Sequence, residues 1–244
     1  MELPVTVLEL PASWADPRSA LARVEQHLAS VPAGHLVLLP EASLTGYVSP
    51  KLEFDLSPMA EPLEGETSRA LSDLARRHGV HLVGPLIERD GPRLYNSLIG
   101  FDPRGRRFLH YRKRHPWLPE RWATPGDLPW PVVDVEGLSV TAALCFDLHF
   151  LADEAAEALG SADLLLFSSA WVEDEGDTRR PLLVGLARRF GLHVANANWG
   201  PGAVRMPGQG GSVILGPDGT VLAEVSEGRA VAAVHARSAR IRSG

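Results

Sequence analysis

Nine short runs of β-branched and leucine-rich residues punctuate the chain, at 5–10, 35–40, 81–88, 95–102, 140–147, 163–170, 193–198, 211–217 and 230–236. Runs of this length and composition read as strands. Between several of them lie stretches with helical spacing, and that alternation predicts a layered α/β domain. Residues 17–30 place Leu21, Val24 and Leu28 on one face behind Pro17, a favoured first helical residue. Further helices are predicted over 67–78, stopping at Gly79; over 153–159, stopping at Gly160; and over 181–190, stopping before Gly191. Two stretches look alike, NSLIGFDPRGRRFLHYRK (96–113) and GSVILGPDGTVLAEVS (211–226). Each is a strand, a Pro/Gly turn and a second strand, the signature of a hairpin. One in each half suggests a pseudo-symmetric sandwich. No Gly/Ser linker or low-complexity tract divides the chain, so residues 1–244 read as a single domain.

Hydrophobic residues make up 45% of the 244 positions and charged ones 22%, enough apolar material for a substantial core. The net charge of −6 argues against a nucleic-acid partner. The short basic clusters RRH (76–78) and RKRH (112–115) read as solvated faces. One cysteine, Cys145, excludes an intrachain disulfide framework and a Cys-rich zinc site, and suits a reducing compartment. The start of the chain, MELPVTVLELPASW, has no basic region ahead of a long apolar run, so it does not read as a leader peptide. No run approaches the ~18 apolar residues of a membrane span. The expectation is a soluble cytoplasmic protein with no membrane partner.

Ligand sites of α/β sheets form beyond the carboxyl ends of strands, and several chemically capable residues fall there. The run at 35–40 ends at Glu41, the second strand of the first hairpin runs into Lys113 with Glu120 seven residues on, and the run VTAAL leads to Cys145. A hydrolytic cysteine needs a proton acceptor and donors for the developing oxyanion. A carboxylate and an ammonium can supply these without histidine. Each residue also has a plain reading: a surface or capping Glu, a solvated Lys, a core Cys packing as a small hydrophobe. Competing constellations are poorer. Cys145 has no papain-like context, although His149 and His193 are available as partners. His78 and His81 straddle Gly79 and do not share a helical face as metal ligands would. There is no G-x-S-x-G elbow, and GQGGSV opens a strand rather than a helix, unlike a dinucleotide loop. No cofactor and no metal is expected.

Taken together these motifs resemble the carbon–nitrogen hydrolase, or nitrilase, superfamily over nearly the whole chain. LVLLPEASLTGY is similar to the motif that ends a strand at the general-base Glu, HYRKRHPWLPERWATPGD to the Lys motif, and ALCFDLHF to the nucleophile motif. SADLLLFSSAW, HVANANWG and GGSVILGPDGTVLAE are similar to the later segments. The resemblance implies a four-layer α-β-β-α sandwich, with Glu41 as general base, Lys113 as oxyanion stabiliser, Cys145 as nucleophile and Glu120 as a supporting fourth residue. It implies the Phe146 backbone N–H as second oxyanion donor, and association into homodimers or larger homo-oligomers. The chain departs from the family pattern at His149, where Arg is common, and at Leu151 and Ala152, where Pro-Glu is common. Arg189 and Phe190 replace a Glu-Asn pair, and the Glu120–Pro125 spacing is about one residue short.

The Phe-Asp after the cysteine is more similar to the amidase branches than to nitrilases. The implied substrate is a small aliphatic or ω-amide, with N-carbamoyl compounds and nitriles as alternatives. Tyr47, Trp171 and Trp199 lie near motif ends and are candidate pocket residues, packing being the competing reading for each. A catalytically silent binding or regulatory subunit is the alternative from another class.

Overall fold

The computed structural model describes residues 2–172, 177–202, 206 and 208–237. In chain order its strands are β1 (Glu2–Leu8), β2 (Leu36–Leu38), β3 (His81–Asp90), β4 (Arg93–Phe101), β5 (Arg107–Arg112), β6 (Val133–Val135), β7 (Leu138–Leu144), β8 (Leu164–Ser168), β9 (His193–Ala197), β10 (Val213–Leu215), β11 (Val221–Glu224) and β12 (Arg229–His235). The helices are α1 (Pro17–Leu28), α2 (Glu66–His78), α3 (Leu151–Glu154), α4 (Ala156–Ser161) and α5 (Arg179–Phe190). The strands form two six-stranded sheets, ordered β12-β1-β2-β3-β4-β5 and β11-β10-β9-β8-β7-β6.

The period-2 alternation of side chains on a strand builds the layers. Leu36 and Leu38 point into a core shared with Val140, Ala142, Leu144, Leu164 and Leu166 of the other sheet. Their neighbours Val37 and Leu39 turn the opposite way, onto Ala20, Val24 and Leu28 of α1 and Leu71, Leu74 and Ala75 of α2. In the second sheet, Ala143, Leu165 and Phe167 turn outward onto Leu183, Leu186 and Ala187 of α5. The result is helix, sheet, sheet, helix, the four-layer sandwich that the family resemblance implied.

All nine strand runs form strands, and both foreseen hairpins are present, β4–β5 and β10–β11, one in each sheet. A third hairpin, β6–β7, was not foreseen. β6 is only three residues long, and its turn is two residues, Glu136 and Gly137, both at positive φ as a tight hairpin requires. The helix predicted over 153–159 is instead two pieces, α3 and α4, broken at Ala155. A 3-10 helix over Cys145–His149 feeds directly into α3, so helical backbone begins earlier than Asp153. The apolar stripe Leu148, Leu151, Ala155 and Leu159 runs through the break and stays buried against the second sheet.

The basic clusters divide. Arg76 and Arg77 are exposed on α2, as read from the sequence. The RKRH cluster is not a solvated face: Arg112 is 7% exposed and Lys113 is 1% exposed. The Arg112 guanidinium is held by Glu88, Asp90 and Asp127, with 2.9 Å to Asp90 and 3.0 Å to Asp127. The alternation along β5 explains the difference. Leu109 and Tyr111 point into the shared core, Arg112 faces the other way onto the buried Glu88, and Lys113 meets the buried Glu41 and Glu120.

Candidate active site

The carboxyl ends of β2, β5, β7 and β8 converge on one buried cluster. Glu41 follows β2, Lys113 directly follows β5, Cys145 directly follows β7, and Ala170 follows β8. Because β2 and β5 belong to one sheet and β7 and β8 to the other, the site lies across the seam of the sandwich.

The Lys113 ammonium donates to Glu41 Oε1 at 2.7 Å and to Glu120 Oε2 at 2.6 Å. Asn96, on β4, bridges the same two carboxylates, donating from Nδ2 to Glu41 Oε1 at 2.8 Å and to Glu120 Oε1 at 2.7 Å. Glu41 Oε2 accepts from the Ala170 N–H at 3.0 Å, and the buried Cys145 thiol lies close enough to the same carboxylate for each to act on the other's charge. Glu120 also accepts from the Trp117 N–H at 2.6 Å. Glu41, Lys113, Glu120 and Asn96 are each at most 2% exposed, and Cys145 is 8% exposed. The shortened Glu120–Pro125 loop is taken up by a turn in which the Ala123 N–H donates to the Glu120 carbonyl. Glu120 therefore reaches Lys113 despite the missing residue. The following Pro-Gly-Asp packs on the Lys113 backbone, with the Gly126 N–H donating to its carbonyl at 2.8 Å. A Cβ at Gly126 would lie 2.1 Å from the Arg112 carbonyl oxygen, so only glycine permits this approach.

Cys145 has φ +41°, in the left-handed region that a β-carbon disfavours, and Ala42 beside Glu41 has φ +49°. What holds Cys145 there is Asp147, which the sequence reading used only as a mark of the amidase branches and gave no role in the site. Its carboxylate accepts from the Leu144 N–H at 3.1 Å, the Tyr111 hydroxyl at 2.8 Å and the His115 N–H at 2.9 Å. The strand end, the nucleophile turn and the Lys113 loop are thus tied to one carboxylate. Phe146 is the second residue of the 3-10 helix, where a helical N–H has no intrahelical acceptor.

Electrostatics follow from burial. Exclusion from water pushes the Cys145 thiol well above its ordinary range; Glu41 adds to this and Lys113 opposes it. Burial also raises Glu41 against the pull of Lys113. Burial would lower Lys113, but Glu120 and Glu41 outweigh it and hold the ammonium charged. Asp147 is raised by burial from its ordinary value near 3.8 to about 6, against Lys113 and its hydrogen-bond donors. A carboxyl raised on folding contributes stability that is present below its unfolded value and lost as pH rises through the folded one. The stability advantage of the wild type over Asp147→Asn should therefore fall by on the order of 3 kcal/mol between about pH 4 and about pH 7. Urea unfolding of both proteins at the two pH values checks this, and a pH-independent difference would contradict it.

The aromatic candidates are placed as follows. Tyr47 is 2% exposed, with its ring centroid 5.9 Å from Lys113 Nζ and 5.8 Å from that of Trp199. Trp199 is 1% exposed and donates from Nε1 to the Glu41 carbonyl at 2.9 Å, so it fixes the backbone of that residue. Trp171 is half-buried, 5.8 Å from the exposed His149 ring, and its N–H donates to Asn198. Of the departures from the family pattern, Leu151 and Phe190 are buried in the core of the second sheet's outer face. Arg189 and His149 are exposed, and Ala152 is partly buried. None of these five belongs to the Lys113 cluster.

Asn96 escaped the sequence reading because it sits inside a run that reads as plain strand. The one signal available was an amide side chain between Tyr95 and Ser97 in a mostly apolar run.

A two-sheet sandwich with a buried Glu-Lys-Cys cluster across its seam defines a class of hydrolases that cut carbon–nitrogen bonds other than peptide bonds. The carbon-nitrogen hydrolase family model matches residues 5–243, and the chain belongs to that family. It is 39% identical over 140 residues to a nitrilase of Pyrococcus abyssi, covering 56% of this chain and 52% of that protein, about half its length. To an (R)-stereoselective amidase of a Pseudomonas species it is 30% identical, covering 78% of this chain and 68% of that one. The amidase of Nesterenkonia sp. AN1, solved as a mutant in complex with acrylamide, superposes with a TM-score of 0.85 at 25% identity, covering 96% and 91% of the two chains. The chain is thus an amidase-like member of its family. Among the described residues no helix is long and apolar enough to cross a membrane.

Proposed function

We propose that the protein is an amidase that cleaves a small aliphatic or ω-amide through a thioester on Cys145. The observation that carries this reading is the buried cluster that puts Cys145 beside Glu41, whose carboxylate is 2.7 Å from the Lys113 ammonium.

Burial keeps the resting thiol protonated, so attack needs a base at the moment of bond formation. Glu41 takes the thiol proton as Sγ adds to the amide carbonyl. Lys113 and the Phe146 N–H hold the tetrahedral oxyanion. Collapse expels the amine, which leaves with the proton from Glu41. Water, deprotonated by the same carboxylate, then adds to the thioester, and Cys145 departs as the acid is released. Glu120 and Asn96 keep Glu41 and Lys113 in register throughout. The cytoplasmic setting, the small-molecule substrate and the homo-oligomeric state are part of the same proposal.

The experiment is ammonia release from a panel of short amides, paired with intact-mass analysis after rapid acid quench. The wild type should show an acyl increment on Cys145, and Cys145→Ala should show neither increment nor turnover. Full hydrolysis by Cys145→Ala would overturn the mechanism.

A further inference from the structure

Arg179, the first residue of α5, is 1% exposed, yet only part of its guanidinium is paired. Nη2 donates to the carbonyl oxygens of Gly210 at 2.8 Å and Gly211 at 3.2 Å. Nε and Nη1 are buried and have no acceptor. The acids nearest in charge, Asp177 and Glu9, are engaged elsewhere. Asp177 accepts from the Arg180 N–H at 3.1 Å, and Glu9 accepts from the Ser212 N–H and hydroxyl at 3.0 and 2.8 Å. Among the described residues, no carboxylate comes within 4.0 Å of the guanidinium.

A buried charge with no counter-ion among the described residues is strongly unfavourable, so such a position is suited to receive an anion. The position says where that anion comes from. The Ala170 N–H donates to Glu41 Oε2 at 3.0 Å. The next residue, Trp171, donates its N–H to Asn198 Oδ1 at 2.7 Å. Asn198 Nδ2 donates at 2.9 Å to the Gly210 carbonyl, the same oxygen that takes Arg179. Three hydrogen bonds thus connect the guanidinium, through Gly210 and Asn198, to Trp171, the residue after the one whose N–H holds Glu41.

We infer that Arg179 binds a carboxylate carried by the substrate, so that the site selects small amides with an acidic tail over neutral ones. This rests on the amidase reading above. Guanidinium donors to a carboxylate make charge-assisted hydrogen bonds, the strong kind, and a neutral alkyl end would leave the cation buried and unmatched. The carboxylate can belong to the acyl part, as in monoamides of dicarboxylic acids, or to the amine part, as in N-carbamoyl amino acids. The recognition chemistry is the same for both.

The test compares ammonia release from two matched pairs: glutaramate against valeramide, and N-carbamoylglycine against N-propylurea. In the wild type, kcat/KM should favour the acid of at least one pair by about 100-fold, and the pair that shows it identifies which part carries the carboxylate. In Arg179→Met that ratio should collapse towards one, and Arg179→Lys should retain a fraction of it. Because each ratio is taken within one protein, a loss of folded enzyme cancels. Calorimetric titration of Cys145→Ala with glutaramate, repeated with Arg179→Met added, reads the same subsite without turnover. Binding that needs Arg179 in a protein whose wild type releases no ammonia would sustain this inference and sink the amidase reading. Turnover of amides with no acid preference, or a preference that survives Arg179→Met, would overturn the inference and leave the amidase reading standing.

Discussion

Replacing Lys113 by methionine should abolish turnover and also destabilise the fold by about 3–5 kcal/mol, the cost of removing one member of a buried ion pair. The Lys113 side chain is 0% exposed, and the two carboxylates it separates are 0% and 1% exposed. Without the ammonium, Glu41 and Glu120 face each other away from water, bridged only by Asn96. Their escape is to take up a proton. That raises the carboxyl values in the folded state above the unfolded ones, so the variant's deficit should grow as pH rises and shrink in mild acid. Adding Glu120→Gln removes one of the opposed charges and should recover part of the lost stability. Turnover should not return, since one missing oxyanion donor alone costs about 3 kcal/mol of transition-state stabilisation. Urea unfolding midpoints and ammonia release separate the two effects. A Lys113→Met protein with the wild-type midpoint would show that the ammonium does not hold the site together.

The architecture was largely legible because strand and helix periods differ and the chain keeps them separate. Leu36, Val37, Leu38 and Leu39 alternate between two cores, and a run of that kind has few other ways to fold. What escaped was short or bent. β6 has three residues, too few for a period to show, and the break at Ala155 leaves the apolar stripe intact. The site was legible where residue type and motif coincide: Glu41, Lys113, Glu120 and Cys145 do meet at hydrogen-bond distance or through one another. It was illegible where a polar residue is locally ordinary. Asn96 looks like any strand residue, Asp147 like any residue near a turn, and Arg179 like the exposed start of a helix. Their significance comes from pairing across 55, 36 and 31 residues of sequence, with Glu41, Tyr111 and Gly210 respectively. Such contacts exist only after the two sheets have packed. The RKRH cluster was misread for the same reason, since its carboxylate partners are distant in sequence or follow in a loop.

Glu41→Gln should lower kcat/KM by about 10²–10⁴ and, more tellingly, change the shape of the pH dependence. In the wild type the base must be ionised, so activity is lost as pH falls through the Glu41 value. Burial raises that value above the ordinary 4.5, and the acid limb should sit above the ordinary carboxylate range. The glutamine variant has no base and can react only through the small fraction of thiolate. Burial is the largest influence on the thiol and survives the substitution, while the second influence, the Glu41 charge, is removed. The thiol therefore stays protonated at neutral pH, and the residual rate should climb about tenfold per pH unit up to the alkaline end of the profile. Wild type and variant then converge with rising pH, the variant gaining where the wild type is flat. A substitution that merely disturbed packing would scale the whole profile without changing its shape, so a flat or wild-type-shaped profile in Glu41→Gln would remove Glu41 from the role of base.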